Sequence, residues 1–493
     1  MNKHIPVLAA AVAAASLFSA GVQAGGFKIN EQSASGAGRA FAGSAAIAKD
    51  ASVVFFNPAG MSRLDRSQGS FGFTFLNLEG EFNNGVRTNP TGVVTSNTAE
   101  AGVYNDGGDF MPDKIIPFGY YVHKLDDKAA VGLGIFAPYG TSTDYAQGSL
   151  AGGFADETQL KAIDIQPTFS YAVSDTFSFG VGIDIVYAQG LLSKELDLVP
   201  FGAVTDPAYR GYENKFEVSG DDMGYGWNFG FMWDVTPSTT LGFAYRSEVD
   251  FELEGESEFK IDNGVEVYSQ ALKGHSLLDP DDDGVVLADA AIAAAAGTFN
   301  PANSYTGRVE KQDSRVPLTG PRSATLSVAH QYSDRLLLLA GTTWTDWSSF
   351  KYFDIIATGE GIIDDVGGLG NNYIGHIVEK WRDTLAVSVG AEYVLNEDWT
   401  LRAGYAFDES PVKERYRTAR VPDNDRQWLT AGATYTLNTN WSFDAGVAYL
   451  FIETSKLDEV NNGLDDQRKG NDRLTGEYDV NALGISFQAN YRL

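Results

Sequence analysis

The sequence predicts an all-β protein, a fourteen-stranded antiparallel transmembrane β-barrel with a small plug in its lumen. Two observations lead to this fold class. Apolar and polar residues alternate along many segments, and the connections between those segments are alternately short and long. A third observation, a non-alternating stretch ahead of the first segment, predicts the plug.

The C-terminal segment shows the alternation most clearly. From Leu483 to Leu493 every second residue is apolar, and the residues between them, from Gly484 to Arg492, are small or polar. Because successive side chains of a strand point to opposite faces, this pattern gives one apolar and one polar face. A strand of a β-sandwich would alternate in the same way, so this segment alone does not decide the fold.

The other strand candidates decide it, because their connections are sorted by length. Several candidates begin or end in Trp, Tyr or Phe, as the aromatic girdles of a barrel require. Short connections such as 174–175 alternate with long ones such as 260–320, which is typical of periplasmic turns and extracellular loops. The candidates are 66–82, 115–124, 128–138, 159–173, 176–190, 214–235, 239–259, 321–331, 335–352, 381–394, 398–408, 426–437, 440–453 and 476–493.

The chain ahead of the barrel divides into two parts. Residues 1–24 are predicted to be a secretory signal, with Lys3, an apolar stretch too short to span a bilayer, and a small-x-small cleavage site before Gly25. Residues 25–64 are rich in Gly, Ala and Ser and do not alternate, which favours a plug inside a wide barrel. An exposed periplasmic arm is the alternative. Residues 65–493 would form the barrel.

Composition excludes several classes of partner. The chain has no cysteine, which removes disulfides and thiolate metal sites, and we expect no metal and no cofactor. A net charge of −29 disfavours nucleic acid. The acidic run 279–283 resembles the start of a calcium loop, but Ala290 stands where a bidentate acid belongs, so a solvated loop is favoured. The alanine-rich run 288–296 predicts a short helix.

The third candidate strand, 128–138, pairs least securely with its neighbour 115–124. Pro117 and Pro138 interrupt the pair, and proline cannot donate to a ladder. A break in a closed barrel is costly in lipid and so suggests a use. The alternative is that both prolines lie at strand ends near water.

Several motifs, in this order and spacing, make the chain similar to the FadL family of outer-membrane transporters for long-chain fatty acids and other hydrophobic compounds. The resemblance covers nearly the whole chain after the signal. The matching segments are 26–31, 35–40, 57–59, 224–230, 245–249, 345–350, 407–412 and 421–426.

The resemblance implies a barrel with an N-terminal hatch and a kinked third strand that opens sideways. It implies an internal apolar pocket from which substrate leaves through the wall into the membrane. The residues that it marks are the hatch motif Asn57, Pro58 and Ala59; the lateral opening at Gly132, Gly134, Pro138 and Gly140; and the basic carboxylate partners Lys194, Lys380 and Arg382.

The resemblance therefore predicts a transporter of the bacterial outer membrane, not an enzyme. We also expect a monomer, whose acidic loops would share divalent cations with lipopolysaccharide. Its substrate would be a long-chain fatty acid, with an uncharged alkane or monoaromatic as the alternative. A lipid hydrolase is less consistent, since no histidine has the sequence context of a Ser–His site. A polar porin would have no need of a plug.

Overall fold

The computed structural model of the chain describes residues 25–88, 94–96, 106–195, 215–260, 266–268, 285–287, 310–358, 372–460 and 472–493. The predicted signal 1–24, the acidic run 279–283 with Ala290, and the predicted helix 288–296 lie outside the described residues.

The described strands form a closed antiparallel barrel of fourteen wall strands, as predicted. In chain order the strands are β1 (Gln68–Thr88), β2 (Val94–Ser96), β3 (Lys114–Lys124), β4 (Ala129–Phe136), β5 (Gly140–Asp144), β6 (Glu157–Ser174), β7 (Phe177–Glu195), β8 (Lys215–Thr236), β9 (Thr239–Arg246), β10 (Val249–Lys260), β11 (Glu266–Tyr268), β12 (Val285–Leu287), β13 (Glu310–Gly320), β14 (Ser323–Ser333), β15 (Leu336–Thr345), β16 (Tyr352–Ala357), β17 (Tyr373–Val378), β18 (Thr384–Val394), β19 (Trp399–Asp408), β20 (Arg426–Thr436), β21 (Trp441–Ile452), β22 (Ser455–Val460) and β23 (Arg473–Arg492). Six wall strands consist of two segments: β4 with β5, β9 with β10, β13 with β14, β15 with β16, β17 with β18, and β21 with β22.

The barrel closes between its first and last strands. β1 pairs with β23 from Gln68 opposite Arg492 to Thr88 opposite Arg473. Closure satisfies the backbone groups that would otherwise face lipid at a sheet edge. The last strand also has the predicted faces, because Phe487 and Tyr491 are exposed on the outside while Gln488 is buried on the inside.

Several strands extend further than predicted, and their sequence explains why. β13 and β22 lie within stretches that the sequence assigns to long connections. Charged residues dominate the first half of β13 and much of β22. Their outer face is therefore polar, so the alternation of apolar and polar residues that reveals a lipid-facing strand is missing.

The third wall strand is broken between β4 and β5, at 137–139. β4 pairs with β3 up to Phe136 opposite Phe118, and β5 pairs with β6. Within the described pairing, the first residues of β3, Lys114 to Pro117, bond to β1 and have no partner strand on the side of β5. The predicted weakness of this pair is therefore a local gap in the wall.

Residues 25–64, called the N-terminal segment below, pack against the inner face of the barrel. The segment contains α1 (Ala34–Ala37), α2 (Val53–Phe56) and the 3-10 helix Pro58–Arg63. Its backbone comes so close to the wall that a Cβ atom at Gly404 would lie 2.2 Å from the carbonyl carbon of Arg39. Among the described residues, no helix is long and apolar enough to cross a membrane.

Candidate functional site

An apolar pocket lies inside the barrel, between the start of the N-terminal segment and the ends of the strands that precede long connections. Its walls come from β6, β7, β8, β10 and β13. Its volume is about 30 Å³, so it is nearly filled by its own side chains. The apolar lining residues are Phe27, Leu160, Leu191, Leu192, Val218, Leu253, Val316, Leu318, Phe350, Phe353, Trp381 and Val421.

Phe27 occupies the centre of this apolar region. Its ring centroid lies 4.7 Å from that of Trp347, 5.6 Å from that of Phe350 and 5.7 Å from that of Trp381. Gly26 makes the close packing possible: its φ is +71°, and a Cβ there would lie 2.7 Å from the Trp381 ring. The first residues of the N-terminal segment are therefore part of the pocket.

The same residues bond to the break in the third wall strand. The backbone N–H of Gly140 donates to the carbonyl of Phe27 at 2.8 Å, and the N–H of Ile29 donates to the carbonyl of Pro138 at 2.9 Å. The side-chain amide of Gln32 donates to the carbonyl of Ala137. The N-terminal segment thus supplies hydrogen bonds that a neighbouring strand would normally make.

The residues predicted for the lateral opening fall at two different places. Pro138 lies in the break, and Gly140 is the first residue of β5. Gly132 and Gly134 lie within the regular pairing of β4 with β3. A Cβ at Gly132 would lie 2.4 Å from the sulfur of Met61, so the glycine lets the N-terminal segment approach the wall.

The predicted hatch motif attaches the N-terminal segment to β7 and β8, the fifth and sixth wall strands. Asn57 is fully buried and caps the 3-10 helix, where its Oδ1 accepts from the N–H of Ala59 at 3.1 Å. Its Nδ2 donates to the carbonyl of Phe231 in β8 at 3.1 Å. A Cβ at Gly180 of β7 would lie 2.4 Å from the carbonyl carbon of Pro58, so the motif is held tightly.

Buried ion pairs hold the N-terminal segment at a second place. Arg39 pairs with Glu392 of β18 at 3.2 Å, and Lys49 pairs with the same carboxylate. Arg402 bridges Glu392 and Asp444, each at 3.2 Å. Each buried charge in this cluster has a partner of opposite sign, as burial requires.

A third contact links the segment to the strand that ends at the break. Arg246 of β9 pairs with Asp164 at 3.3 Å and with Asp184. Its guanidinium also lies 5.0 Å from the ring centroid of Phe55 and 5.5 Å from that of Phe136. Because Phe136 is the last residue of β4, this arginine connects α2 with the edge of the break.

The three predicted carboxylate partners lie in different surroundings. Lys194 is in β7, inside the strand rather than just beyond it, and well past Ile183, the last large exposed apolar residue of that strand. Within the described part of the chain its Nζ makes no hydrogen bond or ion pair. Burial and the nearby positive charge of Arg420 lower the pKa of Lys194.

The other two flank Trp381 but point to other partners. The Lys380 ammonium lies 5.6 Å from the ring centroids of Tyr352 and Tyr416. Arg382 donates from Nε to the carbonyl of Ser410 at 3.0 Å and pairs with Asp425 at 3.4 Å. No described contact joins Lys194 to either residue, so the structure does not assemble the three into one group.

The sequence analysis missed two buried residues next to the pocket. Arg420 is 5% exposed and immediately precedes the segment 421–426 that supports the family resemblance. Glu379 is fully buried and accepts from the indole N–H of Trp381 at 2.7 Å and from the hydroxyl of Thr418 at 3.1 Å. Burial raises the pKa of Glu379 to about 8. Charge alone, in a chain with many charged loops, gave no signal for either.

A second cavity, of about 130 Å³, lies between the segment and β9, β14, β15 and β18. It could hold several water molecules. Hydroxyl groups line much of it, including those of Ser323, Thr325, Ser327, Thr343 and Ser388. Apolar side chains such as Phe41, Phe55 and Trp428 lie between these hydroxyls, so the lining is mixed. The smaller pocket has an almost wholly apolar lining, which suits an acyl chain better, and is therefore the candidate binding site.

A closed antiparallel barrel with an apolar outer face, and with an inner segment packed beside an apolar pocket, is the architecture of a bacterial outer-membrane protein. The chain belongs to the family described as outer membrane protein transport protein (OMPP1/FadL/TodX), whose model matches residues 15–493.

Individual relatives cover nearly the same length. The chain is 26% identical over 443 residues to a long-chain fatty acid transport protein from Escherichia coli O6:H1, covering 87% of each chain. It is 28% identical to outer membrane protein P1 from Haemophilus influenzae, covering 84% of this chain and 83% of that protein.

Solved structures show the same architecture. The crystal structure of a Pseudomonas aeruginosa FadL homologue matches with a TM-score of 0.77 and 27% identity, covering 95% of this chain and all of that one. The Pseudomonas putida toluene transporter TodX matches with a TM-score of 0.62 and 16% identity, covering 94% and 99%. Because the identity to TodX is only 16%, this match shows a shared fold alone.

Proposed function

We propose that the protein takes up long-chain fatty acids across the outer membrane and releases them sideways through the break in the third wall strand. The observation that carries the proposal is the position of Phe27. Its side chain fills the apolar pocket, and its carbonyl accepts from Gly140 at the edge of the break. Relatives that align over most of the chain are long-chain fatty acid transport proteins.

The small volume of the pocket links binding to movement. An acyl chain gains about 0.8 kcal/mol for each CH₂ group that leaves water. It cannot enter a pocket of about 30 Å³ unless side chains withdraw. Displacement of Phe27 would pull on the hydrogen bond to Gly140, and so would loosen the N-terminal segment from the break.

The lateral route is supported by the gap between β3 and β5. Backbone groups that lack a neighbouring strand are costly in lipid. The N-terminal segment satisfies the carbonyls of Ala137 and Pro138. We infer that residues 25–64 act as a hatch, which closes the gap when docked and blocks the lumen from the periplasm.

Uncharged hydrocarbon is the second candidate substrate. The pocket lining is almost wholly apolar, which suits a ligand without a head group. The toluene transporter TodX has the same fold. Direct binding of radiolabelled oleic acid and of an alkane of equal length to the purified barrel distinguishes the two. Preference for the acid supports the proposal, and equal binding or preference for the alkane overturns the fatty-acid assignment.

Hydrolysis is poorly supported by the described histidines. His376 pairs with Asp354 at 2.6 Å, and His123 contacts Ser67 at 3.4 Å. Within the described residues no histidine joins a serine and a carboxylate, which a Ser–His–Asp site needs. His275 lies outside the described residues.

The proposal extends to the surroundings of the barrel. A barrel that closes on itself leaves no strand edge for a second copy, so we infer a monomer. Exposed acids on the outer face of β10, such as Glu252 and Glu254, would share divalent cations with lipopolysaccharide phosphates. The second inference is tested by adding EDTA to the barrel embedded in lipopolysaccharide, which should lower the temperature at which the barrel unfolds.

A further inference from the structure

Arg420 is a buried cation without an ion-pair partner in the described part of the chain. Arg39, Arg246, Arg402 and Arg426 are also inside the barrel, and each pairs with a carboxylate. Arg420 instead donates from Nη1 to Thr158 Oγ1 at 3.2 Å and, at 3.4 Å, to the carbonyl of Glu157. Its Nε is buried and has no hydrogen-bond partner among the residues that the structure describes.

A buried guanidinium without an ion-pair partner is energetically unfavourable. Removing a charge from water costs several kcal/mol, and buried charges are normally paired to offset this cost. Arginine has five N–H donors in a rigid fork, and Arg420 uses one nitrogen. The remaining donors are therefore available to an anion that is not part of the described chain.

The acids that act on Arg420 are Glu459, Glu379 and Asp156, and none of them forms an ion pair with it in the described part of the chain. Glu379 acts on Arg420 only at a distance, and both of its oxygens already accept, from Trp381 and from Thr418. Because its pKa is raised to about 8, this carboxyl is mostly neutral at pH 7. Glu459 accepts from the N–H of Ala419 at 2.7 Å and forms no ion pair with Arg420.

A second unsatisfied polar atom lies on the apolar pocket. Thr141 Oγ1, in the strand that begins directly after the break, is buried and has no hydrogen-bond partner in the described ranges. Thr141, Thr158 and Val421 all line the apolar pocket. Arg420 does not line the pocket itself, but its guanidinium donates to Thr158 and the residue immediately precedes Val421, so it lies directly next to the lining that includes Thr141.

We propose that Arg420 and Thr141 hold the carboxylate of the acyl ligand, with the guanidinium as its ion-pair partner and the threonine hydroxyl as a second donor. The proposal rests on the proposed function and assigns the polar end of the same pocket. Arg420 and Thr141 thus take the role of direct carboxylate partners, which the sequence predicted for Lys194, Lys380 and Arg382. Lys194 contributes positive charge at longer range.

The position of this anion site also links ligand binding to the break in the third wall strand. Thr141 follows Gly140, whose N–H bonds to Phe27. A carboxylate on Thr141 therefore lies one residue from the link between the pocket and the break. Head-group binding at β5 and tail binding beside Phe27 would act on the same short stretch of wall.

The test compares oleic acid with oleyl alcohol, which has the same chain and no charge. Equilibrium binding to the purified full-length barrel is measured with radiolabelled ligands and corrected for empty micelles. Arg420→Gln removes the charge and should weaken acid binding roughly 10- to 100-fold, the worth of a hydrogen bond to a charged group. Alcohol binding should change by less than about twofold.

Three further variants test whether Arg420 and Thr141 bind the carboxylate directly. Thr141→Val, nearly isosteric, should weaken acid binding several-fold and leave alcohol binding unchanged. Arg420→Lys should recover part of the acid affinity. The matched control Arg473→Gln removes an exposed arginine that pairs with Asp458 at 2.7 Å, and should leave the binding of both ligands unaffected. Migration of unheated samples in SDS gels reports whether each barrel is folded.

The outcomes separate this proposal from the proposed function. If neither ligand binds the unaltered protein, the proposed function fails. If both ligands bind and Arg420→Gln weakens both equally, the arginine has a packing role and the anion site is wrong. If Arg420→Gln does not fold, unchanged acid binding by folded Thr141→Val and Arg420→Lys overturns the assignment.

Discussion

The backbone N–H of Gly140 donates a 2.8 Å hydrogen bond to the carbonyl of Phe27. This bond joins the third wall strand directly after its break to the residue whose ring fills the apolar pocket. A ligand that displaces the ring must act on the bond, because one residue carries both groups.

Pro138→Val should reduce uptake at least about tenfold while leaving equilibrium binding unchanged. Valine restores a ladder donor and favours continuous strand structure, so the break should close. Uptake of radiolabelled oleic acid by cells that lack another transporter measures the effect. Pro167→Val is the control, since Pro167 lies within the continuous strand β6. Normal uptake by Pro138→Val would show that substrate leaves by another route.

Deletion of residues 25–64 should raise the ion conductance of the reconstituted barrel several-fold. The segment packs against the inner wall, and a barrel of this size is otherwise wide enough for an aqueous channel. Planar-bilayer recordings measure the change, and heat-modifiable gel migration confirms folding. A folded deletion variant with unaltered conductance would contradict the hatch assignment.

Phe27→Ala should bind oleic acid and oleyl alcohol more tightly, by up to about tenfold, and should be less heat-stable. The substitution creates the space that an acyl chain otherwise has to open, and truncating a buried Phe typically costs about 3–5 kcal/mol. Ligand binding and thermal unfolding are the measurements. Phe71→Ala, on the exposed outer face, is the control. Weaker binding of both ligands by Phe27→Ala would mean that the ring contacts the bound chain.

Acid binding should weaken as the pH rises through about 8. Glu379 is neutral below this pH and negatively charged above it, because burial raises its pKa to about 8. The ionised carboxylate would then compete with the ligand for Arg420, while Trp381, Thr418 and Glu459 also face Glu379. Glu379→Gln should remove most of the pH dependence. A fall that persists in this variant would show that another group causes it, such as Lys28, whose pKa is lowered to about 8 by burial.

Lys194→Ala should weaken acid binding only about twofold to fivefold. The ammonium makes no described hydrogen bond, so it acts through its long-range field, which is modest and screened by salt. Binding at low and high ionic strength checks this, and the difference between variant and parent should shrink at high salt. A loss as large as that of Arg420→Gln, and independent of salt, would make Lys194 a direct partner.

The barrel could be predicted because lipid imposes a simple rule on each wall strand. Outward residues such as Phe487 must be apolar, and inward residues such as Gln488 need not be. The rule fails outside the lipid, which is why β13 was assigned to a long connection. Pro138 also marked the break correctly, since a missing donor is visible in the sequence.

The site was only partly predictable, because its chemistry depends on what is buried. The sequence offers many arginines and lysines, and nothing local distinguishes Arg420 from Arg382. Only the fold shows that, among the described residues, the first lacks a carboxylate partner and the second has one. Gly132 was likewise predicted from its place near the break, whereas its missing side chain makes room for Met61.

The hydrogen bond between Ser33 and Gln488 joins residues 455 positions apart. Contacts of such long range form late, because the loop that they close is costly in entropy. The N-terminal segment is made and exported before any wall strand, yet several of its contacts, on β18, β19, β21 and β23, are with residues that are among the last to be made. We therefore expect the N-terminal segment to dock inside the barrel in the last step of folding.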